Sequence, residues 1–276
     1  MMSDSKKISV VIPCYNDGVF LPEAVNSVLC CDESLVEIII VNDGSTDSLT
    51  INILSEYEAK GIQVIHQENS GLAAARNAGI RKATGTFILP LDSDNKIHKE
   101  YPERAIEVFE RYADIDVVYG KPQFFGDSNE QPLVGSFSLQ KLMTENFIDA
   151  CAVFRKSVWE EVGGYDENMP FMGAEDWDFW LRLGFARKKF HFINEILFDY
   201  RVRRESMLRS TTTPRIKEIK SYIAKKYPYY IDFDSVDTYL ENKAKYNTFF
   251  FLMKFFIKLK MPFVYNFLLK KGFIRV

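Results

Sequence analysis

The sequence predicts an α/β fold, a mostly parallel sheet flanked by helices, with a C-terminal helical extension. Two observations carry this. Runs of β-branched apolar residues alternate with segments of helical spacing from residue 8 to residue 112. Strands separated by ~10–15-residue helices define βαβ units and a parallel sheet. A polar cluster follows each of the first strand-like runs, and ligands on such sheets gather at the carboxyl ends of the strands.

The elements read in order as follows. Residues 8–13 are an apolar run rich in β-branched side chains, and 20–29 have helical spacing. A second run, 37–41, stops at the turn signal Asn42-Asp43-Gly44. Residues 46–59 read as a helix, 63–66 as a short strand and 72–83 as an alanine-rich helix. A fourth strand over 86–91 leads to a helix over 99–112. After a strand at 115–119 the stretch to Ser138 is rich in loop signals, among them Pro122, Gly126, Pro132 and Gly135. Helical spacing returns at 152–162 and 174–183. Strand-like 191–193 and 196–200 run into Arg201-Val202-Arg203-Arg204. The expected division is one α/β domain over 1–212 and a helical extension over 213–276.

Composition sets bounds on function. The 276 residues are 47% apolar and 26% charged, as in ordinary soluble proteins. A net charge of −3 gives the whole molecule no electrostatic pull on nucleic acid. The four cysteines, Cys14, Cys30, Cys31 and Cys151, form no CxxC pair and read as reduced thiols. The start of the chain shows no basic region followed by an apolar one, as a signal peptide would. No stretch reaches the ~20 apolar residues of a spanning helix. The expected location is therefore cytoplasmic. His66, His98 and His191 lack zinc spacing, and no GxSxG, GxxxxGK[ST] or GxGxxG is present.

Three clusters carry chemistry-bearing side chains. Asp92-Ser93-Asp94 follows the fourth strand, and paired carboxylates suit a hard divalent cation. An acidic turn is the plainer reading. Glu175-Asp176-Trp177-Asp178 opens a helix just after Gly173. Acidic residues are favoured there by the helix dipole. A carboxylate against aromatic surface can also have its pKa raised toward that of a general base. Arg201, Arg203 and Arg204 form either a solvated basic surface or a set of forks for anionic oxygens.

Taken in order, these segments resemble the family 2 glycosyltransferases of the GT-A fold. The resemblance rests on Ser9–Asn16 as SVVIPCYN, on Val41-Asn42-Asp43-Gly44-Ser45-Thr46-Asp47, and on NSGLAAARNAGI from Asn69 with Ala83-Thr84-Gly85. It continues with Leu91-Asp92-Ser93-Asp94-Asn95, Gly163-Gly164-Tyr165-Asp166 and Gly173-Ala174-Glu175-Asp176-Trp177-Asp178. It covers roughly residues 6–210. It implies an inverting enzyme that takes a nucleoside-diphosphate sugar, a UDP-sugar first among them, and a glycan or lipid-linked acceptor. It places Pro13, Tyr15, Asn16, Asp43, Arg76, Asp92 and Ser93 at the nucleotide. Asp94 would hold Mn2+ or Mg2+, Asp176 would be the general base, and Glu175 would shape the catalytic site or touch the acceptor. Gly173 and Trp177 would lie on the acceptor side. Where many relatives carry a histidine two residues after the tyrosine–arginine pair, this chain has Arg203 after Tyr200-Arg201. Arg203 and Arg201 would then share the charge of the leaving diphosphate. A sugar nucleotidyltransferase or a non-catalytic nucleotide-sugar-binding relative are the other readings.

The composition changes after Asn242. On a helix Lys243, Asn247, Lys254 and Lys258 share one narrow face, and the other faces are nearly all apolar. Residues 245–276 therefore suit an interfacial helix on an anionic leaflet, peripheral to the inner face of the membrane. Packing on the α/β domain or on another subunit is the alternative.

Overall fold

The computed structural model describes residues 8–228, apart from 130, 205 and 207, and residue 261. Two compact units divide the chain, Met1–Ile223 and Ala224–Val276. The tail 245–276 lies, Met261 apart, outside the described residues.

The first unit is built on an eight-stranded sheet of order β3-β2-β1-β4-β7-β6-β8-β5. Strand β1 (Ile8–Cys14) is buried throughout and lies parallel to β2 (Val36–Asp43) on one side and β4 (Phe87–Pro90) on the other. Strand β3 (Gln63–Gln67) extends the parallel set beyond β2. A strand covered on both faces must be apolar on both, which is why ISVVIPC reads as a continuous run instead of an alternation. Helices α1 (Leu21–Leu29), α2 (Ser48–Ala59) and α3 (Leu72–Lys82) connect these strands, as the βαβ pattern requires.

The small residues of α3 have a steric cause. A Cβ at Gly79 would stand 2.3 Å from Val11 Cγ1, so the helix can lie on β1 and β2 only with glycine there. Local polar ties fix the same layer. Glu37 accepts from Thr84 N (2.7 Å), Gly85 N (3.1 Å) and the Ser9 hydroxyl, so Ala83-Thr84-Gly85 is a tie between α3 and the sheet. Asp47 caps α2 by accepting from Thr50 N at 2.8 Å, which moves the start of that helix to Ser48.

The second half departs from the sequence reading in three places. Strand β6 runs over Val117–Gly126, past the loop signals that seemed to end it at 119. Its register shifts between Tyr119 and Pro122, and Gly120 faces Leu197 so closely that a Cβ would meet its Cδ1 at 2.5 Å. Glycine and proline here mark an irregular strand with a close neighbour, not its end. Residues 152–162 are not one helix but β7 (Val153–Arg155) followed directly by α6 (Lys156–Glu161). Three strand residues abutting a helix leave no turn signal, and Val153, Phe154 and Val158 also fit helical spacing. The two short strands near 191–200 are one, β8 (Phe190–Val202), parallel to β6. Strand β7 pairs antiparallel with both β4 and β6 and so joins the halves of the sheet. Short β5 (Lys96–Ile97) pairs antiparallel with β8 and follows the Asp92-Ser93-Asp94 turn. Helix α4 (Tyr101–Arg111) covers the sheet through Tyr101, Ala105, Ile106 and Phe109, and the one-turn helix α5 (Leu139–Leu142) lies between β6 and β7.

Candidate active site

A cleft of about 1470 Å³ opens at the carboxyl ends of β1, β2 and β4. Pro13, Tyr15, Asp17, Asp43, Arg76 and the Asp92-Ser93-Asp94 turn line it, as do Asp149, Gly173 to Trp177 and Tyr200 to Arg204. Most residues singled out in the sequence therefore meet in one cavity. Asn16 lies on the same rim loop, outside the lining.

The rim loops are held by their own side chains. Asn16 takes a left-handed conformation (φ 51°), and its Oδ1 accepts from Thr46 N at 2.7 Å and Asp47 N at 3.1 Å. It therefore ties the loop after β1 to the loop after β2. Asp43, 4% exposed, accepts from Gln67 Nε2, Ser70 N and Gly71 N at 2.7–2.9 Å. These bonds anchor the start of α3, whose first residue follows a glycine of φ 87° that has no side chain to cap with. Oδ2 of Asp43 takes only one of them, so a lone pair remains for a ring N–H. Tyr15 is half exposed and offers a free aromatic face to the cleft.

Beneath the Asp92-Ser93-Asp94 turn lies Arg76, 1% exposed. It donates to Asp92 Oδ1 at 2.7 Å and to Glu175 Oε1 at 2.5 Å. Burial works against its charge, but Asp92 and Glu175 outweigh burial and raise its pKa further. Glu175, 2% exposed, also accepts from Gly173 N at 2.8 Å. Arg76 and Glu175 are thus a buried clamp between the strand-end turn and α7 (Glu175–Phe185), with both charges matched.

The other arginines differ from one another. Arg201 is spent on the loop itself: its Nε donates to the Asp94 carbonyl at 3.0 Å and its backbone N–H to Asn95 Oδ1 at 2.8 Å. Its guanidinium also lies 2.9 Å from Glu23 and against the rings of Phe20 and Phe125. Arg203 reaches the acidic turn. Its Nη1 donates to Asp17 Oδ1 at 2.9 Å, and its Nε lies 2.8 Å from Asp94 Oδ2 without aiming its N–H there, an ion pair by distance alone. Ser93 completes the knot by donating to Asp17 Oδ2 at 2.8 Å. Burial and the neighbouring Asp92 push the Asp94 carboxyl up to about 6, against the pull of Arg203.

On the other segments of the cleft, two tryptophans hold a loop in place. Trp177 Nε1 donates to the Leu142 carbonyl at 2.6 Å and Trp180 Nε1 to the Ile148 carbonyl at 3.1 Å. Trp177 is thus largely buried and braces this loop while lining the cleft. The loop between them brings Asn146 to Asp176, whose Oδ2 accepts from Asn146 Nδ2 at 3.0 Å. Burial first, and Glu175 second, raises Asp176 well above the usual carboxylate range. Gly173 (φ 91°) packs on Thr212, whose Oγ1 would be 2.2 Å from a Cβ there. Gly163-Gly164-Tyr165 serves α3 rather than the cleft: Asn77 Oδ1 accepts from Tyr165 N (2.8 Å) and Trp159 Nε1 (3.0 Å), and Asn77 Nδ2 donates to the Tyr165 carbonyl.

The sequence reading missed two cleft residues. Asp17 follows Asn16 but carries no recognisable spacing. Asp149 stands on the loop before β7, accepts from Cys151 N at 2.9 Å, and is pushed up to about 7 by burial and then by Asp92. Neither sits in a sequence pattern; the indoles of Trp177 and Trp180 hold the loop that carries Asp149 at the cleft.

The expected divalent cation meets poorly matched donors. Asp92 faces Arg76, Asp94 faces Arg203, and both oxygens of Asp17 are taken. His66 is bound to Asn42 and Glu58, His98 to Asp199, and His191 stacks on Tyr112. Among the described residues no cluster of three acidic, histidine or cysteine side chains is arranged for an ion. The residues present do not fit a resident divalent cation. Cys14 and Cys151, buried beside the cleft, are pushed up by burial, Cys14 to about 12, and are poor nucleophiles at neutral pH.

A mostly parallel sheet with a polar cleft at the carboxyl ends of its strands is the usual ligand site of an α/β fold. Comparison with known proteins gives the family. Residues 9–163 match the model for glycosyl transferase family 2. Glycosyltransferase GlyG of Streptococcus pneumoniae is 30% identical over 228 residues, 75% of this chain and 74% of the relative. An uncharacterized glycosyltransferase of Rickettsia prowazekii is 27% identical over 79% of this chain and 70% of its own length. The chain belongs to glycosyl transferase family 2 and is a glycosyltransferase. Solved structures agree on the fold. TarS of S. aureus (residues 1–349, with UDP-GlcNAc) superposes with a TM-score of 0.68 at 21% identity, covering 83% of this chain and 69% of that one. The mannosyltransferase PcManGT of Pyrobaculum calidifontis, in complex with GDP-Man and Mn2+, gives 0.57 at 16% identity over 77% and 60%. The expected GT-A architecture is thereby confirmed.

Proposed function

We propose that this chain moves a sugar from a nucleoside-diphosphate donor, a UDP-sugar first among them, to an acceptor hydroxyl with inversion. The observation that carries the reading is Asp176: a carboxyl of raised proton affinity in the same cleft as the strand-end turn, held by Asn146. In this reading Asp176 takes the proton of the acceptor hydroxyl as its oxygen attacks the anomeric carbon, and the nucleoside diphosphate departs from the opposite face. Tyr15 stacks on the base, and Asp43 accepts from its ring N–H with the lone pair left on Oδ2. Arg76 and Glu175 keep Asp92 and α7 in register rather than touching the reacting atoms. The UDP-GlcNAc bound by TarS supports UDP as the nucleotide. No step runs through Mn2+ or Mg2+, because the carboxylates that would hold the ion are engaged by arginines.

The acceptor belongs to the same proposal. A glycan or lipid-linked glycan of a bacterial surface polysaccharide is supported by the bacterial relatives and by the basic, aromatic composition of 245–276, which suits contact with an anionic membrane face. No helix among the described residues is long and apolar enough to cross a membrane.

A thermal-shift panel of UDP-, GDP- and dTDP-sugars tests the donor. The right donor at a hundredfold excess over its dissociation constant stabilises by about 2.7 kcal/mol. Asp176→Asn tests the base: transfer falls by about 10³-fold or more while UDP binding stays. Normal transfer by that variant removes Asp176 from the role.

A further inference from the structure

Resting on the donor reading above, we propose that Arg203 takes the place of a divalent cation at the donor diphosphate, so that this chain binds its donor without metal. The observation is where the guanidinium lies. It stands between Asp17, on the loop after β1, and Asp94, on the turn after β4, 2.9 and 2.8 Å from their oxygens. That is the mouth of the sheet at which a phosphate group of a ligand comes to rest. A cation there would need both carboxylates, and Arg203 holds both.

Further cationic side chains stand at the same cleft. Arg203 is 31% exposed and lines the cleft, so it can turn toward a diphosphate without leaving its acidic partners fully. Arg204 beside it is exposed at the same cleft, and Lys220 lines it too. A guanidinium presents paired N–H donors at the geometry of two phosphate oxygens, and its charge does not titrate away. It supplies the neutralisation that a leaving nucleoside diphosphate needs, with no bond to a metal formed or broken.

Calorimetric titration of the full chain with UDP, in EDTA and in excess Mn2+, decides this. Wild-type affinity is expected to differ by less than about twofold between the two conditions. In EDTA, Arg203→Gln weakens UDP by about 10- to 100-fold, the worth of one charged hydrogen-bonded contact. Arg203→His frees Asp17 and Asp94 beside an imidazole, and there Mn2+ tightens UDP by at least about tenfold. Circular dichroism confirms that each variant is folded, which the partial exposure of Arg203 favours. Tenfold or greater tightening of the wild type by Mn2+, or unchanged binding by Arg203→Gln in EDTA, overturns the inference and leaves the transferase reading standing. If UDP, GDP and dTDP all fail to bind with and without Mn2+, the donor reading itself falls, and the inference with it.

Discussion

The cleft holds two sets of carboxylates in contrasting surroundings. Asp92 and Asp94, on the turn after β4, each lie within 2.8 Å of an arginine nitrogen. Asp149 and Asp176, on the loop before β7 and the first turn of α7, accept only from neutral groups: Cys151 N for one, Asn146 Nδ2 and Trp177 N for the other. Arg76 is near enough to lower both, but it spends its hydrogen bonds on Asp92 and Glu175. Asp94 rises to about 6 against the pull of Arg203, while Asp149 and Asp176, with no ion pair of their own among the described residues, rise further. In the proposed mechanism one set places the ligand and the other takes the proton.

Removing the matching should produce the largest effect. Arg76→Leu leaves Asp92 and Glu175 uncompensated and should cost about 3–5 kcal/mol in a urea melt. A loss below about 1 kcal/mol would mean that the clamp is not the buried, matched pair described. Asp149→Asn probes the other set. The folded carboxyl lies near 7 against an ordinary 3.8, so the folded state holds a proton that the unfolded chain releases. That contribution is intact below the ordinary value and is lost as pH rises through about 7. The variant should thus gain on the order of 1–3 kcal/mol over wild type at about pH 8, with the gain vanishing near pH 4. Melts at the two pH values check it, and a pH-independent difference would contradict the assignment. The smallest effect concerns a residue outside both sets. Gly164 has φ 77°, and a Cβ there would stand 2.8 Å from Asn77 Oδ1. Gly164→Ala should cost about 1–2 kcal/mol in a denaturant melt and leave donor affinity alone. A change in donor affinity would contradict that supporting role.

The same contrast explains what the sequence could and could not reveal. The strand-end turn is local: an apolar run, then Asp92-Ser93-Asp94, so its place on the rim was legible from spacing alone. Most of the first four strands and their helices were legible for the same reason. The side of the cleft with Asp149 and Asp176 is assembled from distant segments. Asp149 reaches the cleft through indole hydrogen bonds across more than thirty residues of chain, from Trp177 to Leu142 and from Trp180 to Ile148. No periodicity encodes that. Arg201, Asn16 and Trp177 have the residue types of a binding site, but their hydrogen bonds go to Asp94, Thr46 and Leu142. Residue type alone does not separate a side chain that binds from one that builds the loop that binds.

The account stands most directly on the protonation of Asp176. Carboxyl carbon NMR of aspartate-labelled protein, titrated from pH 4 to 9 with Asp176→Asn to assign the signal, measures it in the free enzyme. The account predicts an Asp176 signal that titrates well above the ~3.9 of an unperturbed aspartate. A midpoint at or below that value would contradict it, because a carboxylate so easily ionised would be matched by a cation and unsuited to take the proton of an acceptor hydroxyl.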